Sequence, residues 1–243
     1  MNPVFATAAL HTESLSKHKS HYTSLVTLGN TLGASVSKNF KDCSHFFYMQ
    51  TPPAGIRETN LRRICQRYKD KPRYATLYDG SRRLPLYSAY IFKKTDGKRR
   101  MDTPWMYEPQ LVSDDESGNM RALPLSDDTH PLIEESQAVF EDYTDAVEYE
   151  RGSLNPDQHQ AEPDDKSSTY TLTNVVPLIT DFLETSWNPY LNTVRRRLNN
   201  FSFCSIFAHL VHLFPHVDCC QMFNHLQSMH LCFSYPRLAI YHS

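Results

Sequence analysis

The sequence predicts an α+β domain built on an antiparallel sheet, and three observations carry that expectation. Tyr74-Ala-Thr-Leu-Tyr78 and Leu84-Pro-Leu-Tyr-Ser-Ala-Tyr-Ile-Phe92 have the β-branched and aromatic character of strands, and Asp79-Gly80 between them is a hairpin signal. Glu134 to Val147 spaces Ala138, Val139 and Ala146 among charges at helical intervals. The chain has 243 residues, 40% hydrophobic and 21% charged, which is enough apolar material for one domain of ordinary size with tails. Seven Gly and fifteen Pro without a period exclude collagen-like and low-complexity chains, and no apolar run is long enough to span a membrane.

In chain order, residues 1–38 read as a leader or degraded signal peptide, mostly disordered. Basic residues from Lys17 precede a weakly apolar run diluted by Thr27, Asn30 and Thr31, and small residues resembling a cleavage site follow. Order is expected from about Phe40. Phe46-Phe47-Tyr48 reads as an aromatic anchor, and Thr51-Pro-Pro-Ala-Gly55 as a turn with proline-fixed φ. Asn60 to Tyr68 is a short apolar–basic segment, Trp105 to Val112 one more short strand, and residues 113–130 an acidic loop.

Charge is near balance, with 25 Lys and Arg against 27 Asp and Glu, so no global basic excess draws a polyanion to the chain. Its distribution is uneven. Residues 57–100 are strongly basic and 102–165 acidic, a pattern expected of two solvated surfaces that offset each other. Cys43 and Cys65 stand apart from the four cysteines beyond residue 200. They are either two buried thiols or a disulfide, which over a loop of about 20 residues would contribute roughly 3 kcal/mol in an oxidising compartment.

The densest motif is Glu150-Arg-Gly-Ser153, then Thr171-Leu-Thr-Asn-Val-Val-Pro177, then Trp187 ten residues on. It resembles the signature of the DNA/RNA non-specific endonuclease family, the ββα-metal or His-Me finger nucleases: Asp-Arg-Gly-His, a Thr-Asn-x-x-Pro-Gln segment, and a helix bearing Asn and Trp. Phe46-Phe-Tyr48 with Thr51 to Gly55, Ile64-Cys-Gln-Arg67, Ala75 to Tyr78 and Pro85 to Ala89 also resemble the family, so the likeness runs in one order over roughly 39–198. It implies a ββα-metal nuclease-type α+β domain, incomplete over residues 39–200 and C-terminally truncated. It further implies metal-dependent hydrolysis of DNA or RNA phosphodiester bonds, a magnesium cofactor, and an extracellular or secretory location.

Hydrolysis of a phosphodiester needs a base for water, a cation on the phosphate and leaving oxygen, and a positive side chain for the transition state. Carried over, Arg151 matches the family Arg, Glu150 lengthens the acidic residue, Asn174 matches the Asn of the Thr-Asn-x-x-Pro segment, and Ser153 occupies the general-base position. A serine hydroxyl has no proton affinity near neutral pH. The metal-binding Asn falls on Leu183, and an aliphatic side chain offers magnesium no oxygen. His159 in the following loop is expected to be a solvated side chain rather than a replacement base. The resemblance therefore implies an impaired nuclease, a catalytically dead pseudonuclease that binds nucleic acid through Arg151 and the 57–100 basic face or acts as a scaffold, or a truncated product without function; protein partners are not indicated.

Residues 201–243 read as a non-homologous end, with six of the twelve His and only Asp218 and Arg237 as fixed charges. Cys204, His209, His212, His216, Cys219 and Cys220 lack a recognised zinc spacing, and the polar face of a membrane-surface helix would want Lys or Arg. Loose helical segments are expected after Asn200.

Overall fold

A computed structural model describes residues 35–56, 59–97, 102–124, 131–144, 148–200 and 204–209. The leader before Ser35, the candidate tail ligands beyond His209, and Ser202 of the Asn200-Phe-Ser202 glycosylation sequon lie outside the described residues.

A five-stranded antiparallel sheet organises the chain, in the order β1-β2-β3-β4-β9, with β1 Val36–Ser37, β2 Leu61–Tyr68, β3 Lys71–Asp79, β4 Leu84–Phe92 and β9 Cys204–His209. The β3–β4 hairpin turns at Asp79-Gly80 as expected. The Asp79 carboxylate accepts the backbone N–H groups of Ser81 (2.8 Å) and Arg82 (3.1 Å), which holds the turn from inside. The apolar–basic segment becomes β2, joined to β3 by Lys69-Asp70, both at positive φ (50° and 63°). A two-residue connection of that kind suits the twist of a hairpin. Asn119 Oδ1 accepts from the Asp70 backbone N–H at 2.9 Å and helps to hold it.

Alternation along the strands sends side chains to two covered faces. On one face Cys65, Ala75, Leu77, Tyr87 and Ala89 pack beneath Phe40, Cys43, Phe46 and Phe47. The aromatic anchor is therefore two residues deep, since Tyr48 is exposed. Cys43 and Cys65 form a disulfide with Cα atoms 5.7 Å apart, fastening this cover to β2. On the other face Tyr74, Tyr90 and Phe92 pack against Val194 and Leu198 of a C-terminal helix.

The segment from Trp105 departs from expectation. Only Met106–Tyr107 (β5) is strand, paired with Arg121–Ala122 (β6), and Pro109–Val112 (α1) is a helical turn begun by proline. Proline supplies the helical φ there without losing a needed N–H. The single helix expected over 134–147 is instead Pro131–Ser136 (α2) and Glu141–Thr144 (α3). Between them, the buried Gln137 side chain takes the backbone N–H of Glu108 (2.8 Å) and donates to its carbonyl (3.0 Å), and Asp142 accepts from the Val139 N–H (2.9 Å). These bonds to side chains replace the helical ladder.

The expected loose helix after Asn200 is corrected at Cys204–His209, which pairs antiparallel with β4 from Tyr87↔His209 to Phe92↔Cys204. Within Cys204-Ser-Ile-Phe-Ala-His209, Ile206 and Phe207 are residues that favour strands, and the pairing covers an edge of β4 that would otherwise be bare.

Candidate active site

Tyr149–Ser153 (β7) pairs antiparallel with Val175–Ile179 (β8), and the chain then enters a helix comprising Thr180–Phe182 (α5), a π-helical turn over Leu183–Trp187, and Asn188–Leu198 (α6). Pro163–Ser168 (α4) lies within the connection between the two strands. Two antiparallel strands followed by a helix make a ββα unit, and it contains every residue of the candidate site.

Arg151 and Ser153 sit two residues apart on β7 and so share a face, while Glu150 belongs to the other face and is exposed. Arg151 stacks on aromatic rings. Its guanidinium carbon is 4.8 Å from the Trp105 ring centroid and 5.8 Å from that of Phe140. Trp105 is itself braced edge-on by Tyr170 at 5.5 Å. Burial and the neighbouring Asp142 push the Tyr143 phenol well up, so it stays neutral beside this cation. Stacking occupies the faces of a guanidinium and leaves its N–H edge for a carboxylate or phosphate. Opposite Ser153 in register is Val175, an apolar neighbour that supplies no proton acceptor.

Asn174 is fully buried and fully bonded. Its Oδ1 accepts from Ser88 Oγ (3.0 Å) and the Asn155 N–H (3.0 Å), and its Nδ2 donates to the carbonyls of Asn155 (2.9 Å) and Thr169 (3.0 Å). The network continues across the sheet through Ser88 to Thr76 (3.1 Å), from Thr76 to Gln66 (3.2 Å), and from Gln66 to Thr173 (2.9 Å). Asn174 therefore locks the ββα unit onto the main sheet and has no donor or acceptor left for a substrate.

His159 is not the solvated loop side chain that the sequence suggests. It is 1% exposed, with Nδ1 2.8 Å from the Tyr90 hydroxyl and Nε2 3.0 Å from the Leu191 carbonyl. Burial drives its pKa down to about 4. Both ring nitrogens are engaged and the ring is sealed between β4 and α6, so it holds the helix in place rather than activating water.

Leu183 opens the π turn and is half-buried. Among the described residues no group of three or more His, Cys, Asp or Glu side chains converges to hold a metal ion. Leucine at 183 offers no donor atom to magnesium, a cation that takes oxygen ligands, so the residue at that position does not fit it.

Among the described residues, Lys69 (to Asp164, 2.7 Å), Arg73 and Lys93 (to the buried Asp165) and Arg83 (to Asp142, 2.8 Å) of the basic segment pair with carboxylates of the acidic one, and Arg82 pairs with Asp79 of its own segment (2.7 Å). The offsetting surfaces expected from the sequence are thus in contact.

A ββα unit braced on an antiparallel sheet, with Arg151 and Ser153 on one face of its first strand, is the arrangement expected from the resemblance to the His-Me finger nucleases. A sequence model of the DNA/RNA non-specific endonuclease family matches residues 52–211, and the chain belongs to that family. The match runs eleven residues past Asn200 and takes in β9. The chain is 34% identical over 163 residues to the mouse (Mus musculus) endonuclease domain-containing 1 protein, and 33% identical over 161 residues to the human (Homo sapiens) one. Each alignment covers 65% of this chain and 31% of the relative, so the chain spans about a third of the length of these proteins. Among solved structures, the EndoG/EndoGI complex is similar at a TM-score of 0.37 and 19% identity, over 54% of this chain and 48% of that one, too slight a likeness to carry structural argument.

Proposed function

We propose that this chain is an endonuclease-family domain in which phosphodiester hydrolysis is impaired while recognition of nucleic-acid phosphate through Arg151 is retained. Ser153 at the general-base position is the observation that carries the reading, and Leu183 at the metal-ligand position supports it independently. General-base catalysis is typically worth 10²–10⁴-fold. Losing it together with the metal ligand removes both the attacking water's activation and the charge compensation of the leaving oxygen. What the remaining residues can do is bind: Arg151, its guanidinium over the Trp105 and Phe140 rings, can place paired N–H groups on a phosphate oxygen pair. Cys43–Cys65 supports folding in an oxidising compartment, and with it a secretory or extracellular location. No helix among the described residues is long and apolar enough to cross a membrane.

A plasmid assay tests the proposal. Supercoiled DNA incubated with the purified protein and magnesium stays intact, whereas Ser153→His combined with Leu183→Asn raises nicking. Robust nicking by the unmodified protein, abolished by Arg151→Ala, overturns it.

A further inference from the structure

Trp105 and Phe140, the two rings under Arg151, belong to segments far apart in the sequence, and a buried joint connects those segments. Glu108 stands three residues after Trp105, and Gln137 three residues before Phe140. Both are fully buried. The Gln137 amide closes on the Glu108 backbone from both sides, accepting from its N–H at 2.8 Å and donating to its carbonyl at 3.0 Å. A side chain paired in this way holds the other segment's backbone as a neighbouring strand would. With one ring so close to the joint on either side, a displacement at the joint reaches both.

The joint also encloses a carboxyl that nothing supports. Neither Oε1 nor Oε2 of Glu108 has a hydrogen-bond partner. Burial drives its pKa up to about 8, and the Ser35 side chain acts weakly the other way, its hydroxyl lying 3.2 Å from Gln110 Oε1. Among the described residues, no cation faces the carboxyl from the elements packed against it. Gln110 of α1 and Gln137 of the α2–α3 connection are neutral, the Tyr74 phenol of β3 is held well above its ordinary range by burial and by Glu108 itself, and Glu134 and Glu135 of α2 are exposed. A neutral acid can stay in such a place, whereas a carboxylate without cation or donor must leave it or draw water in. Because the backbone that Gln137 holds is that of Glu108, the side chain cannot leave without pulling on the joint.

We propose that Gln137 and Glu108 are positioning residues for Arg151, gated by the proton on the Glu108 carboxyl: with the acid neutral the joint keeps the Trp105 and Phe140 rings together under the guanidinium, and with the acid ionised the joint opens and the rings part. The proton passes to bulk water, and no covalent bond other than its O–H breaks. A carboxyl whose pKa is raised in the folded chain contributes at low pH and loses that contribution as pH rises through about 8. Arg151 stays charged across that window and the Tyr143 phenol beside it stays neutral, so neither supplies the change. The inference rests on the reading of Arg151 as the phosphate-binding group, and gives that group an alkaline limit.

The test uses the full chain carrying Trp187→Phe, which leaves Trp105 as its one tryptophan. Acrylamide quenching of Trp105 fluorescence reads the rings without any nucleic acid, and should at least double from pH 7 to pH 9. With a midpoint near 8 the neutral fraction falls about tenfold over that interval, so fluorescence anisotropy of a labelled single-stranded oligonucleotide should show binding weakened about tenfold. Glu108→Gln should remove both pH dependences, and Gln137→Leu should give at pH 7 the quenching that the intact joint gives at pH 9. Should Glu108→Gln fail to fold, Glu108→Met, apolar and of similar length, takes its place. Quenching that stays constant between pH 7 and pH 9, or that changes equally in the neutral variant, overturns the proposal. So does an equal alkaline loss of binding in Arg151→Ala, since the rings would then act through another group. Oligonucleotide binding absent at both pH values, with quenching that still changes as stated, overturns the reading of Arg151 and supports the gate.

Discussion

A methyl carbon of Leu178 lies 2.2 Å from where a Cβ on Gly152 would stand, so the leucine of β8 fills the space that the glycine of β7 leaves open. Leu178 occupies the position after Pro177 where the family motif carries glutamine. Gly152 here is a packing requirement between two paired strands rather than a turn residue. Gly152→Ala should therefore destabilise by overpacking, by about 1–3 kcal/mol. Leu178→Ala should relieve most of that penalty, so a double-mutant cycle by chemical denaturation should show a coupling of about 1 kcal/mol or more. Additive behaviour would mean that the two side chains do not share that space.

How much of this was legible in the sequence depends on whether the signal was local. Asp79-Gly80 is a local turn signal, and the β3–β4 hairpin stands where it predicts. Lys69-Asp70 makes an equally tight turn without glycine, stabilised by Asn119 from about fifty positions away, and nothing in the local sequence announces that bond. Asn174 belongs to the motif, where its residue type suggests chemistry. Its role as a brace becomes visible only when Ser88 and Asn155 arrive from other segments. His159 followed the same logic in reverse, because a polar loop residue looks solvated until Tyr90 and Leu191 close over it. Ser153 and Leu183, by contrast, are plain in the sequence, and the impairment proposed from them rests on residue type alone.

The disulfide is expected to be worth about 3 kcal/mol, because it closes a separation of 22 residues and fastens the Phe40–Phe47 cover to β2. The C43S/C65S variant should lose that stability under oxidising conditions and match the reduced unmodified protein. Equal melting of the oxidised and reduced forms would show that the aromatic cover holds without the crosslink.

His159 makes stability depend on pH in a defined window. Its folded pKa is lowered to about 4 from an unfolded 6.5, so the unfolded chain binds the extra proton first as pH falls. Its contribution is fully present above pH 6.5, declines below it at up to about 1.4 kcal/mol per pH unit, and reaches a loss of roughly 3 kcal/mol near pH 4. Urea titrations at pH 7 and pH 5 should show the drop, and His159→Gln should flatten it while lowering stability at pH 7, because the Tyr90 and Leu191 contacts are disturbed. An equally steep drop in the variant would assign the acid sensitivity to other groups.

Arg151 and its aromatic clamp give the last prediction. A phosphate held by the guanidinium gains charge-assisted hydrogen bonds worth about 1.5–3 kcal/mol, so Arg151→Ala should weaken binding of a single-stranded oligonucleotide roughly ten- to a hundredfold. Arg151→Lys keeps the charge but loses the planar fork and the stacking, and should recover only part of the loss. Trp105→Leu keeps an apolar side chain under Arg151 but removes the ring, and should cost about 0.5–2 kcal/mol of affinity by freeing the guanidinium to swing. Fluorescence anisotropy at two salt concentrations separates these effects. Losing one phosphate contact in Arg151→Ala reduces the salt slope, whereas Trp105→Leu weakens binding with the slope nearly unchanged. If Trp105→Leu bound as tightly as the unmodified protein while Arg151→Ala did not, the arginine would act as a bare charge and the aromatic clamp would have no part in recognition.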